Sequence, residues 1–583
     1  MMKKYKQLFV FVPIALMFMI ISCAPNINQD GQTNLTSLNF SAGSLMPNFD
    51  TAIQNYSITV DYPTDKINFT AETSSAESIL NYRFQAAGDS WGKWTEIVSG
   101  LPSPDLELNE GMNDLEIRVQ SADETNSNTY SVSINRQAMG SQNKAELNNL
   151  EVIYTYQSTD YQLLYKPAFD PGTSDYDLFV VARNKIYGVI VSFPMFSIVP
   201  YYDQGTVQID GEEVASGEKK SFFINSGSYE IIVTAEDGIT TKTYTLQVYR
   251  ETEIHKAVDN SQLANGDILT VVPGHYEEAE EINLPDKAIY LLSLDPQDNT
   301  IREDTIIDGC GTHRVFRAQN NKEIPTISGF TIQNGSAQLG AGIYVYNASI
   351  NILYNTITQN FSTGSENSSG GGIYIFNGSP VIGYNKISEN MSHGAGGVYI
   401  RGNCSPQIEH NNIQNNDASG GSGGGILITS VVGEPIIRYN NISNNESEKN
   451  GGGIYCSDSA VIIDSNASIS NNKAKMFGGG LSIWDSSSTV IDNDIHDNTT
   501  ESCGGGVSIH NASPTIEGNA IQENAALQSG GGIYILGTVS EPSIINNTII
   551  HDNYSTNMGD DDIYIVEGNP TINNNGGPPV IWP

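Results

Sequence analysis

Gly396-Gly397-Val398-Tyr399-Ile400-Arg401, Gly424-Gly425-Ile426-Leu427-Ile428-Thr429 and Gly452-Gly453-Ile454-Tyr455-Cys456-Ser457 are three copies of one phrase, each 28 residues after the last. Working outward, the same Gly-rich lead and apolar pair recur at Ile343/Val345, Ile373/Ile375, Leu481/Ile483, Val507/Ile509, Ile533/Ile535 and Ile563/Ile565, at spacings of 25 to 30 residues. A fixed period of this length is the mark of a stacked solenoid with one coil per repeat. Each period also carries Asn-x-Ile-x-x-Asn or a near variant: Asn355/Ile357/Asn360, Asn385/Ile387/Asn390, Asn411/Ile413/Asn416, Asn440/Ile442/Asn445, Asn493/Ile495/Asn498 and Asn519/Ile521/Asn524. The copies at Asn466 and Asn547 hold one extra residue, which predicts local bulges.

The predicted fold class is therefore all-β, and its C-terminal part is a right-handed parallel β-helix. Coils stacked at about 4.8 Å place the Ile column in a dry interior and let aligned Asn side chains bond up the stack. Ten or eleven coils make a rod of roughly 50 Å. Glycines before each apolar pair allow the sharp corner from which the strand starts.

Ahead of the repeats the texture changes at Glu253. Ile254, Ala257 and Val258 share one face of a short helix, and Gly266 to Tyr276 reads as strands. This opening resembles that of pectin-lyase-like β-helix domains. The Gly-rich and Asn-x-Ile-x-x-Asn phrases resemble the GGA[ILV] and FxxN repeats of polymorphic outer-membrane proteins, with Gly for Ala and Ile for Phe. The C-terminal membrane barrel of that family has no counterpart here.

Two similar stretches precede the helix. The first runs from Leu35 through Tyr56-Ser-Ile58-Thr-Val60 and Leu115-Glu-Ile117-Arg-Val119 to Tyr130-Ser-Val132-Ser-Ile134-Asn-Arg136. The second runs from Leu147 through Tyr176-Asp-Leu178 to Tyr244-Thr-Leu246-Gln-Val248-Tyr-Arg250, with a longer middle around Tyr154 to Tyr202. Apolar residues at period two, bounded by Gly and Pro, predict short strands. The pattern resembles cadherin-like β-sandwich domains of bacterial surface proteins, whose usual roles are spacing and binding. The expected domains are 35–136, 145–250 and 251–583.

Residues 1–22 carry Lys3, Lys4 and Lys6 before an apolar run from Leu8 to Ile21 that is short for a bilayer span. They read as a signal peptide, and Ile20-Ile21-Ser22-Cys23 resembles a lipobox, which implies cleavage before Cys23 and acylation of its thiol. Residues 23–34 then form a linker. Ala24 stands where an Asp would mark inner-membrane retention, so the expected location is the bacterial outer membrane or cell surface, with the membrane as a partner through the lipid.

The chain holds 66 acidic and 28 basic residues, a net charge of -38. That excludes nucleic acid as an expected partner, because phosphate backbones need clustered cations. Without CxxC spacing or a His at ligand distance, the other cysteines, Cys310, Cys404, Cys456 and Cys503, give no zinc site. Cys456 takes an inward Ile position and reads as a buried thiol.

Residues between and after each inward pair point outward: Tyr344 and Tyr346, Tyr374 and Phe376, Tyr399 and Arg401, then Tyr455, Trp484 and His510. Rings one coil apart suit a platform for a polysaccharide or host-surface glycan, with Arg401 as donor. No cofactor is expected; Asp458 and Asp485 fall on consecutive coils and are the candidates should Ca²⁺ bind, with ordinary turn formation as the competing reading. Asp560, Asp561 and Asp562 read as a solvated end of the rod. Polygalacturonases, glycoside hydrolases related by fold, carry NTD, GHG and RIK strings, none of which occurs here, so no catalytic residue is assigned. The leading expectation is a surface lipoprotein that displays a β-helix for binding or adhesion. A polysaccharide lyase or glycoside hydrolase and a structural surface protein are the alternatives.

Overall fold

The computed structural model describes residues 33–583 except 61–63, 76–77, 123–124, 138–144, 183–184, 187–188, 191–194, 204, 237, 365–368, 548, 557–561, 574–579 and 582–583. The signal peptide, Cys23, most of the linker, Asp560 and Asp561 lie outside the described residues. Among those described, no helix is long and apolar enough to cross a membrane. The chain forms two compact units, 1–144 and 145–583.

In the first unit a five-stranded sheet runs in the order Asn55–Val60, Ser127–Arg136, Gly111–Gln120, Ile79–Gln85, Thr95–Ile97. Alternation in Leu115-Glu-Ile117-Arg-Val119 sends the three apolar side chains into the core and Glu116 and Arg118 to the other face. Facing strands Leu35–Phe40 and Phe69–Thr73 close the sandwich with Leu35 and Phe69 fully buried. The Gly111-Met-Asn113 corner is pinned by buried Asn113. Its amide donates to the carbonyls of Asn109, Gly111 and Ile134 and accepts from the amides of Ala87 and Asn109.

In the second unit, strand Asp175–Val181 does two jobs. It lies parallel to Thr241–Glu251 within the second sandwich, and it also pairs in parallel with Ile268–Val271, the first strand of the helix. Tyr176, Leu178 and Val180 fill the sandwich core, whereas Phe179 and Val181 join the core of the β-helix. A strand buried on both faces reads as a continuous apolar run, which is what Leu178-Phe-Val-Val181 is. The short helix Ile254–Val258 forms where expected and buries Ile254, Ala257 and Val258 beside that strand. The coil is thus capped by a sandwich strand as well as a helix, and one 17-stranded sheet spans both parts.

Each regular coil holds four short strands, as in Ile343–Tyr346, Asn351–Leu353, Thr356–Thr358 and Phe361–Ser362. Every one pairs in parallel and in register with its equivalent a coil later. The inward residues Ile343, Ile373, Val398, Ile426, Ile454, Leu481, Val507, Ile533 and Ile563 are all fully buried. Each such side chain contributes about 1.5–3 kcal/mol of burial. Cys456 takes its inward place, and burial pushes its thiol up to about 12.

The Gly triplets are required for two different reasons. Gly423 sits at φ +70°, whereas a Cβ on Gly424 would lie 2.5 Å from the carbonyl oxygens of Glu446 and Gly452. The first glycine turns the chain and the second lets successive coils touch backbone to backbone.

Two asparagine ladders run up the corners. Asn390 donates its backbone N–H at 3.1 Å and its amide at 3.0 Å to Asn416 Oδ1, and the amide also donates to the Ile357 carbonyl at 2.9 Å. Asn416 repeats this toward Asn445 and Ile387. This ladder runs from Asn360 to Asn553 and ends on Asp562, whose Oδ1 accepts the Asn553 amide at 2.9 Å. Asp562 is therefore buried, not part of a solvated end; burial raises its pKa against the lowering effect of the Asn553 bonds. The extra residue after Asn466 also departs from expectation. Strand Ser468–Ser470 keeps unbroken register with Asn441–Ser443, so the insertion sits in the corner before the strand and makes no bulge. The register does shift between Arg401 and Gly402.

Replacing Asn416 with Ala strips the acceptor from two Asn390 donors. It is expected to cost about 1–3 kcal/mol in urea unfolding followed by circular dichroism. Asn403→Ala, at an exposed side chain, should stay within about 0.5 kcal/mol. Equal effects at both positions would contradict the ladder's role.

Candidate functional site

The first strand of each coil, the one after the Gly triplet, turns alternate residues away from the core. Its register fixes two outer columns: Arg317, Tyr344, Tyr374, Tyr399 and Gln319, Tyr346, Phe376, Arg401. The six residues expected on this face are thereby brought together. Tyr344 and Tyr374 stack at 5.4 Å, Tyr346 and Phe376 at 5.1 Å, and Tyr344 and Tyr346 at 6.0 Å, all nearly parallel. Tyr399 meets Tyr374 edge-on at 5.4 Å and its hydroxyl hydrogen-bonds Thr429 Oγ1 at 3.0 Å.

Stacking changes what the strip offers. Tyr374 is only 5% exposed, and burial pushes its hydroxyl up to about 12. It supports its neighbours instead of meeting solvent. Tyr344, Tyr346, Phe376 and Tyr399 are half-buried and Arg401 is exposed, its guanidinium 5.7 Å from the Phe376 ring centroid. At the opposite end Arg314 lies 4.5 Å and Arg317 6.0 Å from the Tyr344 centroid, and both hold Glu281, at 2.9 and 2.8 Å. The sequence reading missed these arginines because they precede the first Gly triplet. The available signal was Phe316-Arg317-Ala318, an inward pair with an outward residue between.

Further along, Trp484 and His510 stack at 4.1 Å, but Phe477, from the corner before Gly478, packs on His510 at 4.5 Å. His510 was expected outward and is instead 2% exposed, and among the described residues its Nε2 has no hydrogen-bond partner. Burial pulls its pKa down to about 4.

A third stack was not foreseen. Tyr354, Tyr384, His410 and Tyr439 stack at 4.8, 4.8 and 5.1 Å on the corner between second and third strands, each at positive φ. Each directly precedes an Asn of the second ladder, which runs through Asn355, Asn385, Asn411 and Asn440, a signal present in the sequence.

The acidic candidates behave as turn formers. Asp458 and Asp485 sit at φ 48° and 46°, and their amides donate to the carbonyls of Trp484 and His510. Among the described residues no group of three or more His, Cys, Asp or Glu could hold a metal ion. A cleft of about 620 Å³ is lined by Glu277, Asp308, Cys310 and Phe361 among others. Its Asp308 bonds with His275 Nε2, Gln333, Asn334 and the Cys310 amide. Burial alone would raise the Asp308 pKa, but these bonds outweigh it and the net shift is downward. These bonds hold the carboxylate ionised and tie it into the wall of the cleft.

The "Cadherin-like beta sandwich domain" matches residues 35–137 and 147–251, and the "Right handed beta helix region" matches 314–495. The chain carries two cadherin-like β-sandwich domains and a right-handed β-helix. Residues 424–578 also match the family described as "Periplasmic copper-binding protein (NosD)". Among the described residues of that stretch no group of three or more His, Cys, Asp or Glu gathers as a metal site. His496 and His551 each bond the aspartate that follows, and His510 is enclosed by rings. Comparison with curated proteins returns no match. Among solved structures the chain is similar to the Bacteroides ovatus mixed-linkage glucan utilization locus SGBP-B in complex with a mixed-linkage heptasaccharide, at 12% identity and TM-score 0.12, covering 37% of this chain and 72% of that one.

His510 gives this cluster a pH signature. Its folded pKa is depressed, so the unfolded chain binds the extra proton between about 6.5 and 4, and stability falls as pH drops through that window. The loss should approach about 3 kcal/mol at the acid end. His510→Phe should flatten the melting temperature against pH across this range; an unchanged slope would mean that the imidazole titrates freely.

Proposed function

We propose that this protein is an exported, lipid-anchored binding protein whose β-helix presents the Tyr344 to Arg401 strip to a polysaccharide or glycan. The observation that carries the reading is the in-register cluster of half-buried rings on adjacent coils, with guanidiniums at both ends. Half-buried Tyr346, Phe376 and Tyr399 offer ring edges and hydroxyls, and exposed Arg401 offers donors that no carboxylate among the described residues takes up. Rigid backing suits recognition, since the side chains are ordered before the ligand arrives. Glu281, the carboxylate beside the strip, is held by Arg314 and Arg317, an arrangement for orienting cations and not for passing protons. The match to a periplasmic family and the lipobox-like Ile20-Ile21-Ser22-Cys23 both support a place beyond the cytoplasm.

Affinity electrophoresis of the mature chain through polygalacturonate, alginate and host-type glycans tests this reading. Retention without product release is expected on at least one of them. Tyr346→Ser with Phe376→Ser should weaken that retention tenfold or more, while Tyr374→Phe should leave it nearly intact. Release of shortened or unsaturated sugars would favour an enzyme, and equal retention of the double variant would remove the strip from consideration. Separately, Cys23→Ser should abolish labelling by radioactive fatty acid and shift the protein from the membrane to the soluble fraction.

A further inference from the structure

The outward face of the five-stranded sheet in the first sandwich carries Trp91 and Trp94, two of the four tryptophans in the chain. Trp91 is 37% exposed. The guanidinium of Arg83 lies 4.6 Å from the Trp91 centroid and 4.8 Å from that of Trp94, and Arg118 lies 4.2 Å from Trp94. Indole and guanidinium therefore alternate: Trp91, Arg83, Trp94, Arg118.

The two arginines are differently employed. Arg83 stands opposite Glu116 in the register and is clamped by it, Nε and Nη2 lying 2.6 and 2.5 Å from Oε2. Arg118 stands opposite Asn81, and its buried Nε has no hydrogen-bond partner among the described residues. Among the described residues its guanidinium has no carboxylate partner, although acidic residues outnumber basic ones 66 to 28 in this chain. Holding up the 86–94 loop would account for Trp94 alone. It does not account for an exposed indole at one end of the ladder and an unneutralised cation at the other.

We infer that this face is a second glycan-binding site, separate from the strip on the β-helix, and that it takes an acidic oligosaccharide built of uronic acid residues. The exposed Trp91 receives the apolar face of one pyranose ring. The flat Arg118 fork, fixed against Trp94, receives a carboxylate through paired N–H bonds. Asn81, Thr129 and Ser131, half-buried on the same face by strand register, supply donors and acceptors for hydroxyls. The overall negative charge does not prevent this, because charges beyond about 8–10 Å are screened at physiological ionic strength.

The test is calorimetry on the mature chain in a Tyr346→Ser/Phe376→Ser background, so that the helix strip is silent. The probes are tetramers of galacturonate, guluronate and glucuronate and the carboxyl-reduced form of each. At least one uronate is expected to bind, and its reduced form should bind at least tenfold more weakly. Arg118→Gln should lower uronate affinity about tenfold or more and leave the reduced form unchanged, with Arg118→Lys in between. Trp91→Ala should weaken both. Melting temperatures within error of the parent establish that these variants fold. Failure of every uronate to bind overturns the inference, as does equal binding of the reduced forms or full affinity in a folded Arg118→Gln chain. Because the helix strip is disabled throughout, none of these results depends on the function proposed for it.

Discussion

Everything on the rod depends on one pair of hydrogen bonds repeated up two corners, from the N–H and amide of one asparagine to the side-chain oxygen of the next, as from Asn390 to Asn416 at 3.1 and 3.0 Å. Parallel strands that are mostly two to four residues long have too few ladder bonds to fix their own register. A slip of one residue would turn every inward Ile outward. The asparagine makes that slip costly, because its donors and acceptor are buried and find partners only at the right offset. The Gly triplets act in concert by letting backbones approach where any Cβ would collide with the next coil. Spacing of 25 to 30 residues is then tolerated, since length differences are absorbed in corners, as at Asn466.

The same constraint explains where the rod begins. A solenoid needs a cover for its first coil, because an open parallel edge invites further pairing. Strand Asp175–Val181 supplies it by giving alternate side chains to two cores. The second sandwich is thus more than a spacer: its sheet continues into the helix, and unfolding either would expose the apolar residues of the other. The first sandwich has its own separate core.

Much of this was legible in the sequence, for a physical reason. Period-two burial and a fixed coil length are properties of single residues at regular positions, so Ile373, Val398 and Ile426 announced themselves. What was illegible depended on partners distant in the chain. His510 sits at an outward position, yet Phe477, from the preceding Gly corner, covers it. Asp562 looked like part of an acidic tail and instead ends the Asn ladder. Arg314 and Arg317 lie before the repeat becomes regular, so period alone did not include them. In the first sandwich, Trp91 and Trp94 belong to a loop whose facing arginines come from two separate strands.

Register also limits what an aromatic residue can do on such a rod. When the same position carries a ring on consecutive coils, the rings come within about 5 Å and cover one another, as Tyr344 and Tyr374 do. A long run of rings is then mostly cladding: it stiffens the coil, and its faces are spent on neighbours. Recognition belongs where the run is broken. The column that holds Tyr346 and Phe376 passes to Arg401, and the chain's register shifts at that arginine. There a half-covered ring stands beside an exposed cation, and the side chains of one coil cease to mirror those of the next. That discontinuity, more than the number of rings, distinguishes this part of the strip from the Tyr354 to Tyr439 stack.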